Sequence, residues 1–311
     1  MKRSWLTRGG LAACLAMLLL IPATAAAAAP AGDGPPGFWW GTDSFPVPVP
    51  GSAPYSMPFL GGAYGGYIGM TGNWAYWLGC KGGFIAFSAT NAAQAHINFT
   101  KYDKGVGVGA YWFMGGPGVD PHYNGTANEA YAWGAAQAAR TLADIANGAF
   151  DYKVVWMDIE LPGITPAPDN GWNSVYTSAC SGRVKQSFVP TSLDRADFNG
   201  FFDYVTHHSP YKVGVYSTAS VWTKIFGTGG ASLIPNTYEW TYEPETTNYT
   251  GAYPHGWCLK HGSGPCAQFF GGQTNASSHA LMWQWSGGGG QTNGIGGFNG
   301  DLDQIDSARF G

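Results

Sequence analysis

Residues 153–160 read Lys153-Val154-Val155-Trp156-Met157-Asp158-Ile159-Glu160, and Pro162 follows closely. Lys153 to Ile159 is a short, nearly continuous apolar run. A strand covered on only one face alternates apolar and polar residues. A strand buried on both faces does not, and that is the pattern of a parallel strand lying under helices. The run predicts such a strand, with two carboxylates at its C-terminal end.

Upstream lies the clearest helix signal. Thr126-x-x-Glu129 forms a capping box, apolar residues recur at Ala130, Trp133, Ala136, Ala139, Leu142 and Ile145, and Asn147-Gly148 supplies a stop. Before it, Gly105 to Met114 reads as a strand closed by Gly115-Gly116-Pro117. Phe84 to Ala89 and Gly37 to Phe45 are further strand candidates. Residues 46–83, rich in Gly, Pro and Tyr without a clear period, read as one long decorated loop. Downstream, Phe198, Phe201, Phe202 and Val205 have helical spacing ended by Pro210. Lys212 to Ser217 and Leu281 to Ser286 read as strands. Strand, helix and strand alternating in this way predict an α/β chain, a single (β/α) TIM-like barrel with long decorated loops. It occupies residues 37–311 after a Pro/Gly linker at 30–36.

The chain has 311 residues, of which 45% are hydrophobic, 15% aromatic and only 11% charged. Average domains carry about 25% charged residues, so this surface is neutral and polar. A coiled coil, a charged disordered tail and a basic nucleic-acid binder are excluded. The 48 glycines follow no three-residue period, which excludes collagen.

Residues 1–29 have the form of a secretion signal: Lys2, Arg3 and Arg8, an apolar stretch from Leu11 to Ile21, then Ala23-Thr24-Ala25. Leu11 to Cys14 imitates a lipobox, but the cysteine precedes most of the apolar stretch. Removing the signal takes three of the 15 basic residues and none of the 19 acidic ones, leaving a net charge of −7. No later run is long enough to span a bilayer. The expectation is a secreted monomer that keeps no membrane contact once the signal is gone. Cys80, Cys180, Cys258 and Cys266 remain, an even number suited to two disulfides. Local closure favours Cys258–Cys266, which leaves Cys80–Cys180. A zinc site is the rival, weakened by the absence of a C-x-x-C pair.

Asp158 and Glu160 carry the chemistry. Residues i and i+2 of a strand share a face, with backbones about 6.5 Å apart. At the C-terminal end of a parallel barrel strand they point into the mouth. Two carboxylates there can divide acid catalysis, one protonated and one ionised. Glu160 follows an apolar strand, where desolvation would favour its protonated form. A helix cap or a solvated loop pair would explain a D-x-E equally simply.

Several stretches, in order, resemble glycoside hydrolase family 25, the cellosyl-type N-acetylmuramidases, and the secreted actinobacterial proteins related to them. Gly41-Thr42-Asp43-Ser44 is similar to the first-strand G-x-D. Phe84 to Asn91 is similar to the second strand, and Gly109 to Phe113 to the G-x-Y-x-F of the third. Met157 to Glu160 is similar to the D-x-E hallmark, and Gly214 to Ser217 to the G-x-Y-[ST] of the fifth strand. Trp283-Gln284-Trp285-Ser286 with Gly300-Asp301-Leu302-Asp303 is similar to the closing signature.

The resemblance covers roughly residues 37–306. It implies a glycosidase of cell-wall polysaccharide, peptidoglycan above all, with no cofactor and no metal. Glu160 would be the general acid. Asp158 would be the ionised partner of an N-acetyl group attacking the anomeric carbon, a substrate-assisted retaining route. Asp43 and Asp301 would hold sugar or tune Glu160, with Asp303 competing for the place of Asp301. Tyr111, Tyr216, Trp283 and Trp285 would contact sugar. Three features depart from the family pattern: the long 46–83 stretch, the insertion from Asn170 to Phe188, and Tyr238 to Glu243 in place of W-x-A-x-Y. They keep open a barrel of the same fold that binds glycan without cleaving it.

His207-His208 falls at a helix end, where imidazole suits the dipole, and the other histidines lack metal spacing. With no G-x-S-x-G elbow and no P-loop, serine hydrolase and nucleotide readings fall away. The map expects Asp43, Asp158, Glu160 and Asp301 at one mouth of a parallel barrel.

Overall fold

The computed structural model describes residues 38–44, 67–74, 107–146, 154–161, 169–175, 188–227, 237–242, 281–286 and 301–306. Their strands are β1 (Phe38–Ser44), β2 (Tyr67–Trp74), β3 (Gly107–Phe113), β4 (Val154–Asp158), β5 (Lys212–Ser217), β6 (Tyr238–Tyr242), β7 (Met282–Ser286) and β8 (Asp301–Asp306). Three helices accompany them: α1 (Ala127–Ala146), α2 (Thr191–His208) and α3 (Ala219–Phe226). The chain is α/β. Strands β1 to β7 pair in sequence order, all parallel. β8 runs antiparallel and pairs with both β7 and β1, so the ladder returns to its first strand.

Alternation along each strand builds two cores. On β4 and just beyond it, Val155, Met157 and Ile159 join the layer under the helices, while Val154 and Trp156 face inward. β5 divides in the same way, with Val213 and Val215 outward and Tyr216 inward. Both faces of these strands are therefore buried, as the unbroken apolar run in 153–159 requires. The outer layer is closed by Phe198, Phe201 and Val205 of α2 and by Trp222, Ile225 and Phe226 of α3. Phe198 sits edge-on to both Trp222 and Phe226, at 5.6 and 5.7 Å between ring centres. Burying such a ring contributes about 1.5–3 kcal/mol.

Helix α1 begins as its capping box requires, with the Glu129 amide donating to Thr126 Oγ1 at 3.3 Å. Gln137 on α1 is fully buried and uses both ends of its amide. Its Oε1 accepts from Trp112 Nε1 and from the Gly115 amide, and its Nε2 donates to the Gly115 carbonyl and to Asp197 Oδ1. One side chain thereby joins β3, the loop after it, and α2. The two helices meet closely. A Cβ added at Gly134 would lie 1.9 Å from the Asp197 carbonyl oxygen, and one at Gly200 would lie 2.0 Å from that of Tyr131.

Four expectations change. Within the stretch read as a loop, Tyr67–Trp74 forms β2 and occupies the place between β1 and β3. Its two glycines, Gly69 and Gly72, hide it, because isolated Gly weakens a strand. Pairing on both sides supplies what propensity lacks. The assignment of the second strand to Phe84–Asn91 is displaced accordingly, and those residues lie outside the described ones. α2 starts at Thr191 after Pro190, seven residues earlier than its phenylalanine spacing suggests. α3 was not anticipated. It is capped by Thr218, whose Oγ1 accepts from the Val221 amide at 3.1 Å, and stops at Gly227 with φ of 72°. Finally, the last strand is antiparallel rather than parallel. The signal and linker regions and all four cysteines, Cys80, Cys180, Cys258 and Cys266, lie outside the described residues.

Candidate active site

The C-terminal end of β4 carries Asp158 as its last residue, and Glu160 stands two positions beyond. The ladder extends past the strand on both sides. The Met114 amide donates to the Asp158 carbonyl at 2.9 Å, and the Ile159 amide donates to the Tyr216 carbonyl at 3.0 Å. Ser217 Oγ donates to the Ile159 carbonyl at 2.9 Å. Asp158 and Ile159 are therefore held by the ladder rather than in a free loop. Asp158 is 8% exposed and Glu160 is partly buried.

The turn that follows is tied back to this end. Asn170 donates from Nδ2 to the Glu160 carbonyl at 2.8 Å. It adopts φ of 54°, and Gly171 beside it φ of 81°. Asn and Gly are the residues that tolerate this left-handed region. The amides of Gly116 and Gly118 donate to the carbonyls of Asn170 and Gly171, at 2.8 and 2.9 Å. Trp172 is fully buried against Phe226, with rings 5.7 Å apart. The beginning of the inserted segment is thus a packed wall of the site. Asn170 is the positioning residue that sequence reading passed over. Its only signal was an Asp-Asn-Gly turn.

Asp43 and Asp301 come to the same end by different routes. Asp43 is the penultimate residue of β1, and Asp301 is the first of β8. They are direct partners in the antiparallel register. In a parallel strand the first residue would lie at the opposite end of the sheet. The reversal of β8 is what brings the Asp301 main chain beside the C-terminal end of β1.

The inner face behind these acids is aromatic and hydrogen-bonded. Trp240 is its hub, edge-on to Tyr111, Trp156 and Tyr216 at 6.1, 5.7 and 4.8 Å. Tyr111 and Tyr216 are each 7% exposed. Gln284 accepts from the Tyr216 hydroxyl and donates to Asp43 Oδ2 at 2.9 Å.

Among the residues expected to contact sugar, Asp303 and Trp283 lie in the interior. Asp303 has no exposed surface, and its Oδ1 accepts from Trp240 Nε1 at 2.9 Å, so it anchors the aromatic hub. Trp283 is 1% exposed and alternates with the inward-facing Met282 and Gln284, which puts it on the outer face. Trp285 falls in a bulge between Gln284 and Ser286, where the β7–β8 register shifts. His207 and His208 occupy the last turn of α2, their Nδ1 atoms against the carbonyls of Asp203 and Tyr204.

Three further aspartates lie buried around α2 and the loop after β3. Burial pushes Asp120 up to about 6. Burial, and then the nearby charge of Asp169, pushes Asp194 up to about 9. Burial, with Asp194 and Asp120 adding to it, drives Asp197 well above the usual carboxylate range. Among the described residues no group of three or more His, Cys, Asp or Glu could hold a metal ion, and no helix is long and apolar enough to cross a membrane.

No family model matches the chain, and no curated protein matches it. Among solved structures it is similar to the bacterial lysozyme from Streptomyces coelicolor, at 16% identity and TM-score 0.46, covering 88% of this chain and 94% of that one. It is similar to a muramidase from Acremonium alcalophilum, at 15% identity and TM-score 0.47, covering 88% and 96%. It is also similar to a family GH25 lysozyme from Aspergillus fumigatus, at 13% identity and TM-score 0.45, covering 86% and 93%. Likeness at this level assigns no residue a role.

Proposed function

We propose that this chain is a secreted glycoside hydrolase acting on a cell-wall glycan of the peptidoglycan type, built on a TIM-like barrel whose last strand is reversed. The observation that supports the reading is the register, which sets the main chain of Asp43, Asp158 and Asp301 at one end of the sheet, with Glu160 two residues beyond Asp158. Such a set of acids is what glycosidic cleavage needs. The ordered motifs of the sequence point to the same chemistry.

In this mechanism Glu160 delivers its proton to the glycosidic oxygen as the bond to the anomeric carbon breaks. Asp158, ionised, orients the N-acetyl group of the substrate. The acetamido oxygen attacks the anomeric carbon and closes an oxazolinium ring, and the Asp158 charge stabilises the positive charge that develops there. Water, deprotonated by Glu160, then reopens the ring with net retention. Asp43 and Asp301 hold the sugar and tune Glu160. The disulfides Cys258–Cys266 and Cys80–Cys180 and a monomeric state belong to the same proposal.

Purified wall material digested with the protein and analysed by mass spectrometry for new reducing ends tests this. Glu160→Gln should lower turnover by roughly 10²–10⁴-fold with binding and thermal stability nearly intact. Asp158→Asn should be severe as well. Equal release by wild type and Glu160→Gln overturns the assignment. No release by either leaves the non-catalytic glycan-binding barrel as the better account.

A further inference from the structure

Gln284 lies buried on β7 between two residues of the site. Its Nε2 donates to Asp43 Oδ2 at 2.9 Å, and its Oε1 accepts from the Tyr216 hydroxyl. With Asp43 ionised, valence fixes the direction of this chain. An ionised carboxylate only accepts, so the amide nitrogen faces Asp43, the amide oxygen faces Tyr216, and the phenol must donate. Adding a proton to the facing Asp43 oxygen would set two donors against each other. Relieving that clash requires either the amide and the phenol to reverse together, or the proton to sit on Oδ1, where the Gln284 bond survives but weakens because a neutral carboxyl oxygen is the poorer acceptor. A network with one consistent polarity thus opposes protonation of Asp43. The β7–β8 register also shifts between Gln284 and Ser286, immediately beyond this residue.

We propose that Gln284 is a positioning residue which, with Tyr216 behind it, holds Asp43 ionised and in one orientation. The proposal rests on the glycosidase reading for its catalytic consequence, but the Asp43–Gln284 coupling is a property of the fold and is tested separately. Gln284→Leu removes the donor. A carboxylate that loses a hydrogen bond to its charged form titrates at higher pH. Gln284→Glu is the informative counterpart. Below its own titration the introduced carboxyl has an O–H for Asp43 and a carbonyl for Tyr216, so it can replace the amide. Once ionised it cannot. Tyr216→Phe removes only the far hydroxyl and is the milder probe should Gln284→Leu fold poorly.

The experiment follows the Asp43 carboxyl carbon by ¹³C NMR across pH in the full chain, beside kcat and KM on wall glycan. Asp43 should titrate about one pH unit higher in Gln284→Leu and shift in the same sense, by less, in Tyr216→Phe. kcat in Gln284→Leu should fall by up to about 10²-fold with KM nearly unchanged. Gln284→Glu should recover activity in acid and lose it as pH rises. An Asp43 titration unmoved in both Gln284→Leu and Tyr216→Phe overturns the proposal. Identical pH profiles for Gln284→Glu and Gln284→Leu overturn it equally. A wild-type chain that releases no reducing ends defeats the hydrolase reading instead, and the NMR titration still decides the coupling.

Discussion

The side chain of Asn170 donates to the main-chain carbonyl of Glu160 at 2.8 Å, from a backbone held at φ of 54°. One residue therefore sets the turn after β4 and pins the proposed acid. Asn170→Ala loses the donor and adds left-handed strain, each on the order of 1 kcal/mol. Asn170→Gly loses only the donor. Both should lower kcat on wall glycan, while urea unfolding should find the Ala variant less stable than the Gly variant. Unchanged kcat in both would remove Asn170 from the positioning of Glu160.

Gly214 faces Trp156 across the β4–β5 pair, and a Cβ placed there would lie 2.2 Å from the indole Cε3. Trp156 is two residues before Asp158 on the same inner face and has no exposed surface. Gly214→Ala must push the ring or the strand aside, a strain of about 1–3 kcal/mol. Denaturant titration should register that loss together with a changed near-UV spectrum of the tryptophans. A variant as stable as wild type would mean that the inner core has slack beside β5.

Gln137 satisfies two donors and two acceptors from β3, its following loop and α2. Gln137→Leu keeps the bulk and strands those groups in the interior. Each buried polar group left without a partner costs about 1–3 kcal/mol. Thermal unfolding should show one of the largest losses of any single substitution in α1. A shift of only a degree or two would show that water or a side-chain rearrangement replaces the amide.

The buried acids set the sign of a pH effect. Asp194 rises from an ordinary value of 3.8 to about 9 in the folded chain, and Asp197 is raised too. The folded state thus keeps protons that the unfolded chain has already released. Stability is fullest below the ordinary carboxylate range and falls as pH climbs toward 9, by up to about 1.4 kcal/mol per pH unit for each group. Asp194→Asn resembles the protonated acid and should flatten that slope. Urea midpoints at pH 5 and pH 8 measure it, and an equal drop in wild type and Asp194→Asn would contradict the assignment.

Much of this was written locally. The two-sided burial of β4 shows in residues 153–159 because a strand between helices and an inner core has no polar face to display. The start of α1 shows in Thr126 and Glu129 because capping involves neighbours four residues apart at most. The pairing of Asp158 with Glu160 is a property of extended backbone and needs no distant partner.

Other features depend on chain brought from far away. Tyr67–Trp74 becomes a strand because β1 and β3 supply hydrogen bonds on either side of it. β8 runs antiparallel to both β7 and β1, a direction that no residue of its own dictates. That direction puts Asp301 opposite Asp43 in the register. The inward aim of Gln284 and the burial of Asp303 and Trp283 likewise follow from which face of each strand the assembled sheet encloses. Spacing along a sequence records neighbours a few residues apart. Register, strand direction and inside against outside are relations between segments, and free energy selects them only when the segments meet.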